Sequence, residues 1–157
     1  MKLKFKLNYI VIPTITLLIS YVGRRLTESG MNWYRQLHLP TITPPDYVFG
    51  LVWTIIYILA TIAALLMWNK HRRNKNFSII MALFAVNAIL NLSWSYFFFY
   101  KHAIEIALFD CIALGAVNLL LLYYIWPVSR RIAALLIPYA AWTIFASYLN
   151  FLIWTMN

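Results

Sequence analysis

Five long apolar runs dominate the chain and limit what it can fold into. A helix needs about 20 mostly apolar residues to cross the hydrocarbon core of a bilayer. Only the fourth run contains charged residues, Glu105 and Asp110. In lipid, each run must satisfy its own backbone hydrogen bonds, so each is predicted to be helical. The predicted helices span residues 7–23, 48–68, 77–100, 103–126 and 132–156.

The composition agrees with a membrane protein. Of the 157 residues, 64% are hydrophobic and 11% are charged, and the mean hydropathy is +0.74. A soluble domain of this size cannot bury so much apolar surface. The five runs leave no room for a separate soluble domain. We therefore predict one all-α transmembrane domain, a bundle of five helices, over residues 1–157.

The net charge of +9 does not indicate nucleic acid as a partner. The basic residues form short clusters between apolar runs, with no basic face interleaved with polar residues. The single cysteine, Cys111, excludes a disulfide within the chain. His38, His71 and His102 lie in separate loops without ligand-like spacing, so no metal site is predicted.

The distribution of basic residues predicts the orientation in the membrane. Segments 1–6, 69–76 and 127–131 hold nine Lys and Arg residues, and the connections on the other side hold four. The positive-inside rule then places the N-terminus in the cytoplasm. A basic start before an apolar run also fits a signal peptide, but no small-x-small cleavage site precedes Arg24, which favours a retained first helix.

The connection 24–47 is the only long one, and we expect it to lie outside. Long connections in compact domains are usually functional or disordered. Prolines and aromatic residues make this one stiff. We interpret it as a lid over the bundle, built on Trp33, Tyr34, Leu37, Pro40, Pro44 and Pro45.

Aromatic and polar residues in four of the runs share helical faces near the same end of the predicted bundle. Spacings of three and four residues place side chains on one face of a helix. A cavity with aromatic walls and a few polar groups is typical of a ligand site, and Trp53, Trp94 and Trp142 would line it. The faces comprise Phe49, Trp53 and Tyr57; Asn87, Asn91, Trp94, Ser95 and Phe98; Asp110 and Cys111; and Trp142, Phe145, Ala146, Leu149 and Asn150.

Structural interpretations of these polar residues remain open. Asn87, Asn91 and Asn150 fit hydrogen bonds between helices as well as ligand contacts. Asp110 fits either a functional group or a partner for a neighbouring helix. Pro138 is expected to kink the last helix, which would either open the cavity or serve packing alone.

Small residues also recur at close-packing spacing on two predicted helices. Such ridges allow helices to approach closely, either within one chain or between two copies. The sequence does not separate these alternatives. The ridges are Ala107, Cys111 and Gly115 on the fourth helix, and Ser78, Ala82 and Ala85 on the third.

Three different stretches of the sequence contain aromatic, proline and amide residues in a specific order and spacing. They run from Trp33-Tyr34 through Pro44-Pro45 to Trp53 and Tyr57, from Asn87 through Asn91 to Trp94-Ser95, and from Pro138-Tyr139 through Trp142, Phe145-Ala146 and Leu149-Asn150 to Trp154. With Asp110 between them, they resemble the translocator protein family, also called tryptophan-rich sensory proteins. The likeness extends from residue 33 to residue 157. In its short length the chain resembles bacterial members of the family.

The resemblance implies a membrane-embedded binding protein or sensor for tetrapyrroles such as protoporphyrin IX or haem, and for benzodiazepine-type drugs. It implies no required cofactor, a homodimer among membrane lipids, and a location in the bacterial plasma membrane. Carried over by position, the ligand site comprises Tyr34, Pro44, Phe49, Trp53, Asn91, Trp94, Ser95, Asp110, Cys111, Trp142, Ala146 and Leu149.

The resemblance also leaves two alternative functions open. Some bacterial members are reported to degrade protoporphyrin in light, which would make Trp53, Trp142 and Tyr34 the catalytic candidates, although no standard catalytic motif is present. Transport of porphyrin-like molecules is the other alternative. No Lys or Arg follows Tyr148, so the sterol motif of animal members is absent, and Leu39 stands where the family often has Lys.

Overall fold

The computed structural model describes residues 7–157, which form five long helices joined by shorter connections. All five are long and apolar enough to cross a membrane, which confirms the predicted five-helix membrane fold. The three basic residues of segment 1–6 lie outside the described residues. The helices are α1 (Asn8–Tyr34), α2 (Asp46–Lys70), α3 (Phe77–Ser95), which continues as a π-helical segment (Tyr96–Tyr100), α4 (Ile104–Ile125) and α5 (Arg130–Met156).

The first helix is longer than predicted, and the predicted loop 24–47 is correspondingly wrong in its first half. Residues 24–34 continue α1, so the connection to α2 covers only residues 35–45. Charged residues end an apolar run but do not end a helix. Arg24 Nε donates to Glu28 Oε1 at 2.8 Å, an i,i+4 pair that supports the helix beyond the apolar run.

The extension of α1 packs closely against the π-helical segment. Gly30 is buried there, and a Cβ atom at this position would overlap the backbone carbonyl of Phe99. The π-helical turn contains the consecutive residues Phe98 and Phe99, and both are buried. Both rings lie beside Tyr34, with centroid distances of 6.1 and 5.8 Å. This contact holds the end of α1 on the bundle.

The two ends of the bundle differ in charge. We call the end with the connection 35–45 the loop end, and the end with the connection 71–76 the basic end. Among the described residues, the basic end carries six Lys and Arg residues. The acidic residues other than Asp110 are three in number, and they lie at the loop end. The six are Lys70, Arg72, Arg73, Lys75, Arg130 and Arg131; the acids are Glu28, Asp46 and Glu105. The cytoplasmic orientation stays a prediction.

The two small-residue ridges have different surroundings. On α4, Cys111 is buried and accepts a hydrogen bond from Ser147 Oγ of α5 at 3.4 Å. Gly115 faces Thr143 of α5, so this ridge serves packing within the chain. On α3, the ridge of Ser78, Ala82 and Ala85 is exposed.

Helix α5 contains Pro138 and remains one continuous helix from Arg130 to Met156.

Candidate ligand-binding cavity

A cavity of about 640 Å³ lies in the loop-end half of the bundle. Side chains of α1, α2, α3, the π-helical segment and α5 surround it. Ligand pockets for small molecules commonly have volumes of about 300–1,000 Å³. Nine of the twelve site residues expected from the resemblance line it: Tyr34, Phe49, Trp53, Asn91, Trp94, Ser95, Trp142, Ala146 and Leu149.

Three tryptophans form much of the cavity wall, and neighbouring aromatic rings fix their positions. The Trp142 ring meets Phe49 edge to face, with centroids 5.7 Å apart. Trp94 stacks on Phe98 at 5.4 Å. Trp53 packs against Tyr57 at 5.7 Å. Such contacts favour preformed ring orientations, so the walls present flat apolar surfaces before any ligand arrives.

Three buried nitrogen donors in this wall are uncommitted. Within residues 7–157, no acceptor pairs with Nε1 of Trp94, Nε1 of Trp142 or Nδ2 of Asn150. All three residues line the cavity. Buried N–H groups normally have a partner, and leaving one unpaired is costly. The three donors themselves are enclosed by protein atoms, because each has almost no accessible surface, so the surface that the cavity presents is chiefly aromatic and aliphatic.

A chain of hydrogen bonds begins at the floor of the cavity. Tyr57 donates from its hydroxyl to Asn91 Oδ1 at 2.6 Å, and Asn91 Nδ2 donates to the Tyr139 hydroxyl at 2.9 Å. The Tyr139 hydroxyl in turn donates to Asn87 Oδ1 at 3.0 Å. Asn91 thus links helices and also lines the cavity, while its contact with a ligand stays a prediction.

The same series of hydrogen bonds continues to α4 through two residues that were not identified from the sequence, Asn118 and Thr143. Asn87 Nδ2 donates to Asn118 Oδ1 at 2.8 Å, and Asn118 Nδ2 donates to Thr143 Oγ1 at 3.3 Å. Asn118 and Thr143 are fully buried. Both are polar residues within apolar runs, and that position was the available signal for them. The chain joins α2, α3, α4 and α5 below the cavity.

Three expected site residues do not line the cavity. Asp110 lies between α3 and α4, where its Oδ1 accepts a hydrogen bond from Ser93 Oγ at 2.6 Å. Cys111 is buried against α5. Pro44 lies in the connection before α2. No residue of α4 in the described chain lines this cavity, because α4 packs its polar face against α3 and α5, and ligand contact by Asp110, Cys111 or Pro44 stays a prediction.

Helix α1 takes the place that the sequence assigned to the fourth helix. Ser20, Gly23 and Thr27 repeat at helical spacing and line the cavity. Gly23 is buried against Ser95, with a would-be Cβ 3.7 Å from its hydroxyl oxygen. Small and hydroxyl residues at this spacing in a membrane helix mark a face turned towards protein, which was the signal available in the sequence.

The connection 35–45 supports the wall instead of lining the cavity. Leu37 and Leu39 pack on the apolar cluster that contains Tyr34, Phe98 and Leu149. Tyr34 and Asp46, which flank the connection, do line the cavity. The connection is also tied to the end of α5. Backbone N of His38 donates to Asn157 Oδ1 at 2.9 Å, and Asn157 Nδ2 donates to the His38 carbonyl at 3.1 Å.

The cavity opens sideways, between α1 and α2. Its exposed lining residues are Arg24 and Glu28 of α1 and Asp46, Gly50 and Thr54 of α2. Towards the basic end the two helices are joined, since Thr61 Oγ1 donates to Thr16 Oγ1 at 2.9 Å. We call the gap between α1 and α2 at the loop end the mouth.

Comparison with known proteins agrees with this architecture. Residues 10–155 match the model of the TspO/MBR family. The tryptophan-rich protein TspO of Bacillus cereus is 31% identical over 153 residues, covering 97% of this chain and 98% of that protein. The TspO protein of Archaeoglobus fulgidus is 36% identical over 142 residues, covering 90% and 91%.

A relative from animals is also similar over most of its length. The human translocator protein is 29% identical over 139 residues, which cover 87% of this chain and 82% of that protein. The family match spans nearly the whole described chain, including all five helices. The chain therefore is a multi-pass membrane protein that belongs to the TspO/MBR family.

Proposed function

We propose that this protein binds tetrapyrroles, such as protoporphyrin IX or haem, and related flat hydrophobic molecules as a membrane-embedded binding protein or sensor. The observation that carries the proposal is the shared position of Trp53, Trp94 and Trp142 on the walls of one cavity. Flat rings stack favourably on aromatic side chains, and the cavity lies in the membrane-spanning part of the bundle, where an apolar ligand partitions.

The aromatic character of the wall supports a ligand with a flat ring system. The rings of Trp53, Trp94 and Trp142 line the cavity together with Tyr34 and Phe49. Aromatic ligands stack on such rings or meet them edge to face, which adds to the gain from apolar burial. A flat aromatic ring system therefore fits the cavity better than a saturated lipid chain.

Quenching of tryptophan fluorescence tests this proposal. Protoporphyrin IX is titrated in the dark into the detergent-purified protein and into Trp53→Phe and Trp142→Phe. Trp126→Phe is the matched control, because Trp126 is exposed at the end of α4 and does not line the cavity. We expect saturable quenching that weakens in the two cavity variants and not in the control. Quenching that does not saturate, or that weakens only in the control, overturns the proposal.

A second candidate function is the light- and oxygen-dependent breakdown of the bound porphyrin. The observation in its favour is that three oxidisable side chains, Tyr34, Trp53 and Trp142, line the same cavity. Under illumination in air, the porphyrin absorbance should then decrease, and each Trp→Phe variant should slow the decrease. A decrease at equal rates in the wild type and both variants would contradict this candidate function.

We further propose a location in the bacterial plasma membrane, with the basic end in the cytoplasm, and a homodimer. The basic end supports this orientation under the positive-inside rule, because its described residues include six Lys and Arg residues and no acid.

The exposed ridge of Ser78, Ala82 and Ala85 supports a dimer contact through α3, because small residues allow close approach of helices in lipid.

A further inference from the structure

The mouth of the cavity carries all the charged residues that line it. Within the described chain these are Arg24, Glu28 and Asp46, and all three are exposed. The deeper wall consists of aromatic, aliphatic and neutral polar side chains. An ionised group placed in that wall would lose its hydration without gaining an opposite charge, which is costly. A charged end of a ligand is therefore stable only at the mouth.

The ion pairs around the mouth leave one arginine in excess. Glu28 contacts two arginines, Arg24 at 2.8 Å and Arg25 at 3.5 Å. Asp46 contacts Arg35 at 4.0 Å. The set thus has three cations and two anions, and Glu28 keeps Arg25 as a partner if Arg24 turns away.

Arg24 is free to make that turn. Its side chain is 79% exposed, and exposed ion pairs contribute little to stability and exchange readily. A guanidinium group binds a carboxylate with two parallel hydrogen bonds, which gives it a geometric preference for carboxylates over neutral acceptors. Among the described residues that line the cavity, Arg24 is the only cation.

We propose that Arg24 binds a carboxylate of the ligand at the mouth, and that the cavity thereby selects flat apolar molecules with an acidic group on one edge. The acidic edge stays at the mouth, in contact with solvent or lipid headgroups, and the apolar edge enters between the tryptophans. This inference rests on the proposed function and adds to it the orientation of the ligand and the residue that determines its class.

The test compares two porphyrins with the same ring, protoporphyrin IX and its dimethyl ester, in which both carboxyl groups are methylated and carry no charge. Their dissociation constants are measured by fluorescence quenching for the wild type, Arg24→Gln and Arg25→Gln. The Arg25 variant is the matched control, because it removes the same charge from the neighbouring residue, which does not line the cavity. A third variant, Glu28→Gln, releases Arg24 from its carboxylate partner.

We expect Arg24→Gln to weaken binding of the free acid about tenfold, about 1.4 kcal/mol, and to leave the dimethyl ester unchanged. Arg25→Gln should change either affinity less than about threefold. Glu28→Gln should strengthen binding of the free acid, a gain that a misfolded variant cannot produce. Arg24→Lys should restore part of the lost affinity, because Lys keeps the charge without the bidentate geometry.

Three results overturn the inference, and they distinguish its failure from that of the proposed function. If the wild type and Arg24→Gln bind the free acid equally, or if both arginine variants lose affinity equally, Arg24 does not select the acid and the proposed function still stands. If neither porphyrin binds the wild type saturably, the proposed function and this inference both fail.

Discussion

The Tyr57 hydroxyl lies 2.6 Å from Asn91 Oδ1, a hydrogen bond that joins α2 to α3 at the floor of the cavity. Asn91 is held from its other side by the Tyr139 hydroxyl of α5 at 2.9 Å. The amide therefore has partners on both its oxygen and its nitrogen, so its orientation is determined by the protein before a ligand binds.

Removing the Tyr139 hydroxyl should weaken the bundle. In Tyr139→Phe, Asn91 Nδ2 loses its acceptor and Asn87 Oδ1 loses its donor. We expect a loss of about 1 kcal/mol in the free energy of unfolding, since two hydrogen bonds between helices are lost and each contributes about 0.6 kcal/mol on average and about 1.7 kcal/mol at most. Thermal unfolding in detergent measures it. The matched control is Tyr148→Phe, which removes the hydroxyl of an exposed tyrosine of α5. An equal loss of stability in both variants would contradict the role of these hydrogen bonds between helices.

Adding one methyl group at Gly30 should separate α1 from the π-helical segment. A Cβ at this position overlaps the Phe99 carbonyl, which belongs to the backbone and cannot move alone. We expect Gly30→Ala to lower the free energy of unfolding by about 1–3 kcal/mol. Gly50→Ala is the control, because nothing lies within 4 Å of its would-be Cβ. A stable Gly30→Ala protein would show that α1 does not pack here.

The side chain of Asn157 should restrain the connection 35–45. Its amide makes two hydrogen bonds to the His38 backbone, and no other side-chain hydrogen bond to His38 exists among the described residues. Asn157→Ala should therefore increase the rate of proteolytic cleavage within 35–45 several-fold. Thr155→Ala serves as the control, since the Thr155 hydroxyl donates to the Leu152 carbonyl of its own helix. Equal cleavage rates for the wild type and Asn157→Ala would count against this restraint.

A large side chain on the exposed ridge of α3 should disrupt the proposed dimer. Ala82 is exposed in the middle of the ridge, and close packing there requires small residues. We expect Ala82→Phe to shift the protein towards monomer in light-scattering measurements, whereas Ala116→Phe on the exposed face of α4 should not. If Ala82→Phe remains dimeric, the contact lies on another face.

The helices could be predicted from the sequence because the bilayer imposes a simple requirement. A run of about 20 apolar residues must be helical in lipid, so the predicted and observed bounds of four helices agree to within two residues at each end when the π-helical segment is counted with α3. The end of α1 was missed because hydropathy detects where the apolar run stops. The helix continues to Tyr34 through charged residues that pair with each other, and its end depends on contacts with Phe98 and Phe99.

The candidate site was predicted in part for a related reason. Helical spacing identifies which side chains share a face, and the faces of Trp94 and of Trp142 do line the cavity. Spacing does not say which neighbour a face meets. Asp110 meets Ser93 across the α3–α4 contact, and α1 supplies the remaining wall. That choice depends on how five helices pack together, which no single run encodes.

The most direct measurement fills the cavity and asks whether the ligand is excluded. Ala146 lines the cavity, and Ala141 lies on the exposed face of the same helix. Protoporphyrin IX is titrated into Ala146→Trp and Ala141→Trp after thermal unfolding has shown that both are folded. We expect Ala146→Trp to lose saturable binding and Ala141→Trp to bind like the wild type. Unchanged binding in folded Ala146→Trp would contradict binding in the cavity, because the porphyrin would then lie outside it.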